Sequence, residues 1–167
     1  MRLRHWYRLS LATGKPFVHP PRVEVQMRPP TGADTHALAE LMIDSYHGTI
    51  DYDGETIEDA LAEVQGYFAG RNAQPLLECS WLGDVDGALV TACLVGWWAK
   101  GQVPIIAYVM TGAAWKGRGL AGVALRASLS SLVQRGDSDV RALITAGNTP
   151  SEQLHFRAGF TRVDDGD

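Results

Sequence analysis

The sequence predicts a mixed α/β (α+β) domain, in which helices cover both faces of one mostly antiparallel sheet. Three observations support this class. Apolar and polar residues alternate over residues 23–27, as in a strand with one buried face. Two apolar runs flank the polar glycine turn of residues 83–87, as in an antiparallel hairpin. Strand and helix patterns alternate after residue 112, as in crossover connections.

The composition is that of one globular domain. The chain has 167 residues, of which 46% are hydrophobic and 20% charged, so a core can form without metal or disulfides. The formal charge of −4 argues against a protein that coats nucleic acid. We find no apolar stretch typical of a signal peptide or a membrane span. We therefore expect a cytoplasmic protein without bound metal and without a nucleic-acid or membrane partner, in which Cys79 and Cys93 are buried thiols.

The first 21 residues are expected to form an N-terminal extension. This segment ends in His19-Pro20-Pro21, across which no helix can run. Within it, residues 6–12 and 15–18 flank Thr13-Gly14 and predict a hairpin. A single domain is then expected over residues 22–167.

The elements of that domain follow from apolar spacing and end signals. Thr31 with Asp34 resembles a capping box for the first helix, and Thr56 is the expected cap of the second. The remaining expectations run in chain order: strands over 76–82, 88–98 and 103–111, a helix over 120–135, a strand over 140–145, a helix from Thr149 with Pro150 at its first position, and a strand over 160–163.

A glycine-rich block joins an apolar strand to an amphipathic helix at residues 114–122. Glycines let a backbone approach a ligand, and the first turn of a helix offers unpaired N–H groups to phosphate. A Walker A motif is absent. Gly117-x-Gly119-x-x-Gly122 spells a dinucleotide fingerprint, but it lies several residues beyond the strand and the next strand ends without the acid that the motif needs. A solvated turn is the plain alternative.

The segment Lys116-Gly117-Arg118-Gly119-Leu120-Ala121 resembles the Arg/Gln-x-x-Gly-x-Gly/Ala loop of the GNAT superfamily of N-acetyltransferases. A second segment, Asn148-x-x-Ser151-x-x-Leu154-His155-x-x-x-Gly159-Phe160, is similar to that family's Asn-x-x-Ala/Ser-x-x-Leu-Tyr-x-x-x-Gly-Phe motif. The resemblance covers roughly residues 22–163. It implies a GNAT-like fold in which two parallel strands splay into a V.

The resemblance also implies where acetyl-CoA would bind. Its pyrophosphate would lie on the backbone of Gly117 to Gly122, beside the cations Lys116 and Arg118, and its pantetheine arm would pair with Val109, Met110 and Thr111. Asn148 would hydrogen-bond the arm, although a helix-entry turn is the plain interpretation of this residue. The cofactor-binding residues implied by the two motifs are Val109, Met110, Thr111, Lys116, Gly117, Arg118, Gly119, Leu120, Ala121, Gly122, Asn148 and Ser151.

For the reaction, the resemblance implies direct attack of a neutral amine on the thioester, with a backbone N–H near Met110 meeting the negative oxygen. His155 stands where the family usually has a tyrosine that protonates the departing sulfur, and imidazole can take that role. A histidine that only caps or packs is the alternative.

Acceptor-side groups are expected on the acidic and aromatic loop after the first helix and on one of two adjacent tryptophans, which must point to opposite sheet faces. The candidates are Tyr46, Asp51, Asp53, Glu55 and Trp97, with His47 and Tyr52 on the same loop. A solvated turn would carry the same acids.

Only seven residues follow Phe160, where relatives continue into further strands that wall the acceptor site. We expect that the wall is missing, that the N-terminal extension or a partner chain replaces it, or that the chain is truncated. The predicted function is acetyl transfer from acetyl-CoA to a primary amine of a small molecule or peptide, with a homodimer left open. A non-catalytic acyl-CoA-binding or regulatory module is the alternative.

Overall fold

The computed structural model describes residues 2–13 and 21–164. It contains one mixed sheet of eight strands with helices on both faces. The strands are β1 (Arg4–Ser10), β2 (Gln26–Arg28), β3 (Gln74–Pro75), β4 (Trp81–Val85), β5 (Ala88–Trp98), β6 (Val103–Thr111), β7 (Asp139–Thr145) and β8 (Thr161–Val163). The helices are α1 (Thr35–Tyr46), α2 (Ile57–Phe68), α3 (Leu120–Arg135) and α4 (Thr149–Arg157).

The strands are arranged in the order β2-β4-β5-β6-β7-β1-β8, and β3 pairs with β5 beside this path. The pair β6–β7 is parallel and the other pairs are antiparallel. The predicted fold class, a mostly antiparallel mixed sheet between helices, is confirmed. The hairpin turn between β4 and β5 consists of Asp86 and Gly87, both with positive φ, which matches the twist of the flanking strands.

Two hydrophobic cores lie on opposite faces of this sheet. One packs α1 and α2 against the strands through residues such as Leu38, Val64 and Leu94. The other packs α3 against the opposite face and contains Leu125 and Phe160. Because both faces are covered, β5 is buried over most of its length, as its nearly continuous apolar sequence requires. Of the helices in the described residues, none combines the length and apolar character needed to cross a bilayer.

The helix ends follow local chemistry, with one change from the prediction. Thr56 and Asp59 form the capping box that begins α2. The predicted cap of α4, Thr149, is instead its first helical residue, because the Asn148 carbonyl oxygen Oδ1 accepts a 3.2 Å hydrogen bond from the Ser151 N–H. Asn148 therefore has a structural role at the end of β7 as well as any role toward a ligand.

The N-terminal strand β1 lies inside the sheet. It pairs with all seven residues of β7 on one side and with β8 on the other. The expected hairpin partner at residues 15–18 lies outside the described residues. The division into an extension over 1–21 and a domain over 22–167 stays a prediction. In the structure, β1 is the strand next to β7 in the sheet.

The two cysteines are free and buried, as expected. Burial raises the pKa of the Cys93 thiol to about 12 and that of Cys79 to about 11. Both thiols are therefore protonated near neutral pH, which disfavours a nucleophilic role.

Candidate active site

A gap opens between the two parallel strands. β6 and β7 pair only at Ile105 with Arg141 and at Ile106 with Ala142, although both strands continue beyond these residues. On the other side of β6, the pairing with β5 shifts between Leu94 and Val95, so that Ala107 is an extra residue in β6. Such a bulge bends its strand and increases the local twist. The bulge lies where β6 and β7 part, and the strands diverge toward their carboxyl ends.

Val109 presents free backbone groups to this gap. In an antiparallel pair, alternate residues direct both backbone groups to the partner strand. The Gly112 N–H donates to the Val90 carbonyl of β5 at 2.9 Å, so Met110, two residues earlier, also faces β5. The N–H and C=O of Val109 consequently face away from β5, toward β7. Of the three residues predicted to pair with a pantetheine arm, Met110 therefore directs its backbone groups to β5 and not to the gap.

Side chains at the C-terminal end of α1 accept hydrogen bonds from the backbone at the end of β6. The Thr111 N–H donates to Ser45 Oγ at 3.1 Å, and the Ala113 N–H donates to Asp44 Oδ2 at 2.9 Å. The Thr111 N–H is thus unavailable for the predicted pairing with the arm, because it already donates to Ser45. These contacts fix where β6 ends and where the glycine-rich loop begins.

The glycine-rich loop leads into α3 with its amides uncovered. Gly117 and Gly119 have φ of +76° and +80°, a region that L side chains rarely adopt. Within the described residues, no acceptor is found for the N–H groups of residues 117–122, and the first bond of the helix runs from the Val123 N–H to the Gly119 carbonyl. A Cβ at Gly117 or Gly122 would meet open space. Leu120 is buried, so it can contribute to such a site only through its backbone.

The two cations of the loop are engaged elsewhere. Lys116 Nζ donates a 2.6 Å hydrogen bond to the Ser45 carbonyl at the end of α1. The Arg118 guanidinium lies 4.8 Å from the centre of the Trp115 ring, a cation–π distance. The structure therefore places Lys116 as a tie between the loop and α1, and leaves Arg118 exposed on an aromatic face.

Asn148 links α4 to the acidic loop. Its side-chain nitrogen Nδ2 donates to Asp51 Oδ2 at 2.5 Å, while its Oδ1 caps α4. An amide nitrogen has two hydrogens, so one donor remains beyond the bond to Asp51. The Ser151 N–H donates to Asn148 Oδ1, and the Ser151 carbonyl accepts a hydrogen bond from His155 Nδ1.

His155 is almost fully buried, with 3% of its surface exposed. Its Nδ1 lies 2.8 Å from the Ser151 carbonyl, which can only accept, so Nδ1 carries the hydrogen and the lone pair of the neutral ring is on Nε2. Within the described residues, Nε2 has no hydrogen-bond partner. Burial lowers the pKa of His155, so the ring is neutral at pH 7. It must therefore take up a proton at Nε2 before it can donate one there.

One open cleft of about 1160 Å³ extends from the gap to the acidic loop. It brings together most of the predicted acceptor-side and transfer residues. Those lining it are Tyr46, Asp51, Tyr52, Asp53, Glu55, Val109, Asn148, Ser151 and His155.

The tryptophan prediction was wrong. The structure places Trp98, not Trp97, in the cleft, where the Trp98 ring stacks on Trp6 at 4.8 Å. Trp97 faces the other side of the sheet, packs against the core beside α3 and has Arg135 5.4 Å from its ring centre. Alternation along β5 required opposite faces, and the packing of α3 determines which tryptophan lies on which face.

Several cleft residues were missed in the sequence. Glu63 on α2 accepts a short hydrogen bond from the Tyr108 hydroxyl on β6. The pKa of Tyr108 is raised, mainly because the hydroxyl is buried and also because the Glu63 carboxylate lies beside it. Arg4 and Trp6 reach the cleft from β1. A signal for Glu63 was present: it follows Asp59 by four residues, which places both acids on one side of the helix.

Comparisons with known proteins agree with this geometry. The sequence profile of the FR47-like protein family matches residues 82–166, just over half of the chain. No curated protein matches the chain significantly. Among solved structures, the chain is similar to a GCN5-related N-acetyltransferase from Sphaerobacter thermophilus, with 22% identity, a TM-score of 0.73 and coverage of 96% of this chain and 48% of that one. The chain thus spans about half the length of that protein.

Two further structures have the same fold. The paia N-acetyltransferase from Thermoplasma acidophilum, solved in complex with coenzyme A, is 16% identical, with a TM-score of 0.65 and coverage of 87% of this chain and 94% of that one. An N-acetyltransferase from Staphylococcus aureus Mu50 is 18% identical, with a TM-score of 0.61 and coverage of 81% and 82%. Within the described residues the sheet splays at the parallel pair β6–β7, and its architecture is that of the GNAT fold. This chain belongs to the FR47-like family, and its fold is that of the GNAT superfamily.

Proposed function

We propose that this chain transfers an acetyl group from acetyl-CoA to a primary amine. The observation that carries the proposal is the parting of β6 and β7, which leaves the backbone of Val109 open to a slender ligand in line with the uncovered amides of residues 117–122. The coenzyme A complex of a protein with the same fold supports the choice of ligand.

The residues present fit such a ligand. The N–H groups of residues 117–122 stand at the positive end of α3 and would hold a pyrophosphate, with room above Gly117 and Gly122. The Val109 C=O would accept from an amide N–H of the arm, and the second hydrogen of Asn148 Nδ2 would reach the arm from the β7 side. Arg118 is free to turn from Trp115 toward a phosphate, whereas Lys116 would act by holding the loop against α1.

When bound, acetyl-CoA supplies the acetyl group as an activated thioester. The chain contributes hydrogen bonds and proton transfer. The expected oxyanion donor is a backbone N–H near Met110, and we assign this role to the Val109 N–H because it faces away from β5. His155 Nε2 would accept the proton that the attacking nitrogen loses as its bond to the acetyl carbon forms and the carbon–sulfur bond breaks, and would pass that proton to the departing sulfur. The lowered pKa of His155 favours this release.

Two measurements on the full chain test this function. Acetyl-CoA at a hundredfold above its Kd is expected to add about 2.7 kcal/mol of apparent stability in a thermal-shift titration, whereas NAD should add none. Release of coenzyme A is then followed across a panel of small amines and peptide N-termini. Stabilisation by NAD but not acetyl-CoA would contradict the proposal, and binding of acetyl-CoA without release on any amine would favour a non-catalytic binding module.

The contribution of His155 is tested by substitution. His155→Ala is expected to lower kcat while the Kd of acetyl-CoA stays nearly the same, because Nε2 is proposed to move a proton and not to hold the ligand. An unchanged kcat on an accepted amine would remove His155 from the mechanism.

A further inference from the structure

The cleft described above has an excess of negative charge. Its carboxylates are Asp51, Asp53, Glu55, Asp59 and Glu63, and its guanidinium groups are Arg4 and Arg71. Concave surfaces lined by one sign of charge concentrate ligands of the opposite sign. The chemistry of the cleft therefore depends on whether cations of the protein already neutralise these acids.

Four of the five carboxylates have only neutral partners among the described residues. Asp51 accepts from Asn148, Glu55 from the Asp53 N–H, Asp59 from Thr56, and Glu63 from the Tyr108 hydroxyl. The fifth, Asp53, lies 3.5 Å from Arg2 and is 85% exposed. These hydrogen bonds fix the carboxylates in place without cancelling their charge, which leaves an arranged set of anionic groups.

The other walls of the cleft suit a cation with an apolar stem. Trp6 and Trp98 form a stacked pair, and Tyr46 and Tyr108 line the same space. Aromatic faces attract ammonium groups and pack against methylene chains.

An independent observation marks the reacting end of the cleft. His155 lines it with a buried Nε2 that has no partner in the described part of the chain. Tyr108 adjoins Val109 in β6, and its hydroxyl holds Glu63, so Glu63 is the acid of α2 that is tied to the opening strand. Asp59, four residues earlier, lies about 6 Å farther along the helix axis.

We propose that the acceptor is an aliphatic amine with at least two positive charges. The reacting amine would lie near Glu63 and Tyr108, and a second ammonium group would lie near Glu55 and Asp59, with the carbon chain between them against the aromatic wall. This inference rests on the proposed function for the choice of the nitrogen that reacts. The recognition of two charges can be tested without turnover.

The test compares diaminobutane with butylamine, which match in carbon chain and differ in one ammonium group. Binding of each amine to the full chain is measured by calorimetry with coenzyme A present. The diamine is expected to bind at least about tenfold more tightly, equivalent to about 1.4 kcal/mol, and this advantage should shrink as salt is raised. Equal affinities for the two amines would overturn the proposal.

Variants then locate the charges. Glu63→Gln retains an acceptor for the Tyr108 hydroxyl, and Glu55→Gln removes an exposed charge, so both should fold. Each is expected to reduce the advantage of the diamine severalfold. Glu40→Gln, an exposed acid of α1 that pairs with His36, is the matched control and should leave the advantage unchanged. A similar loss in Glu40→Gln would mean that net charge alone attracts the diamine, which contradicts a built site.

Release of coenzyme A on the same two amines separates the two proposals. Selective binding of the diamine without release would retain the recognition of two charges and contradict acetyl transfer to it. Release that is equally efficient with both amines would retain the transferase and overturn the substrate class.

Discussion

The side-chain amide of Asn148 donates a 2.5 Å hydrogen bond to Asp51 Oδ2, a carboxylate that lies 97 residues earlier in the chain. The bond joins the loop after α1 to the residue that caps α4, and both residues line the cleft. Arg2 adds a 3.0 Å bond to the Tyr52 carbonyl of the same loop. Asp51, predicted on the acceptor side, and Asn148, predicted on the cofactor side, are thus joined directly.

Substitutions at Asn148 should separate its two roles. Asn148→Ser retains a helix cap and loses the bond to Asp51, at an expected cost of about 1 kcal/mol of unfolding free energy. Asn148→Ala loses the cap as well, for about 2 kcal/mol in total. Urea denaturation measures both, and Asp51→Ala should match Asn148→Ser because it removes the same bond. Equal stabilities of the Ser and Ala variants would show that the cap contributes nothing.

Gly122→Glu should separate ligand binding from folding. A Cβ at Gly122 meets open space, and an acid in the first turn of α3 interacts favourably with the helix dipole, so thermal stability should be kept or raised. The carboxylate would repel a pyrophosphate, and acetyl-CoA affinity should fall at least about tenfold, about 1.4 kcal/mol. Gly119 is a poorer position for the same substitution, because a side chain at its φ of +80° would add backbone strain.

Two controls accompany this variant. Gly122→Gln adds similar bulk without charge, and Gln134→Glu adds the same charge at the exposed far end of α3. The loss of affinity should be largest in Gly122→Glu and absent in Gln134→Glu. Unchanged binding in Gly122→Glu would place the phosphates elsewhere.

The burial of neutral His155 should make stability depend on pH. Its pKa is lowered in the folded state, while the unfolded value is about 6.5. As pH falls below about 6.5, the unfolded chain binds a proton that the folded chain does not, so this contribution to stability is complete above that pH and is lost below it. The added slope approaches about 1.4 kcal/mol per pH unit. Denaturation of the wild type and of His155→Gln between pH 7 and 5, with the other histidines shared, isolates this slope. Parallel curves would contradict the buried neutral ring.

Ser45→Ala should weaken the end of β6. Ser45 Oγ is the acceptor of the buried Thr111 N–H, and its removal leaves that group unpaired, at an expected cost of about 1 to 3 kcal/mol. Thr35→Ala changes the same helix at a hydroxyl whose hydrogen bond to the Gly32 carbonyl is exposed to solvent, and it should cost less. Chemical denaturation tests both variants, and a loss no greater than that of Thr35→Ala would contradict a structural role for this bond.

The fold class could be predicted from the sequence because it depends on local patterns: apolar alternation, caps and turn glycines act over a few residues. The position of β1 could not, because its pairing with β7 and β8 joins residues at least 129 positions apart, and apolar alternation does not say which strand is its neighbour. The parting of β6 and β7 came from the resemblance, since the extra residue Ala107 that bends β6 shows only in the register with β5.

The candidate site was predictable where a motif fixes the backbone and less so where packing decides. The start of α3 after the glycine-rich loop lies where the sequence predicted it, and the start of α4 lies within one residue of its predicted position. The partners of Lys116 and Thr111 depend on where α1 ends in space, which its sequence does not indicate. Glu63 follows Asp59 by four residues in the sequence, but this spacing alone does not separate a cleft residue from a solvated helix face, and its contact with Tyr108 does.

The proposed place of acetyl-CoA is across the amides of residues 117–122 and in the gap beside Val109. A titration followed in proton–nitrogen correlation spectra of the 18.1 kDa chain tests it most directly. We predict the largest shifts at the Val109 amide and at the amides of residues 117–122, with little change along β4. Saturable binding that leaves the Val109 and loop signals unmoved, or no binding at millimolar acetyl-CoA, would contradict the account.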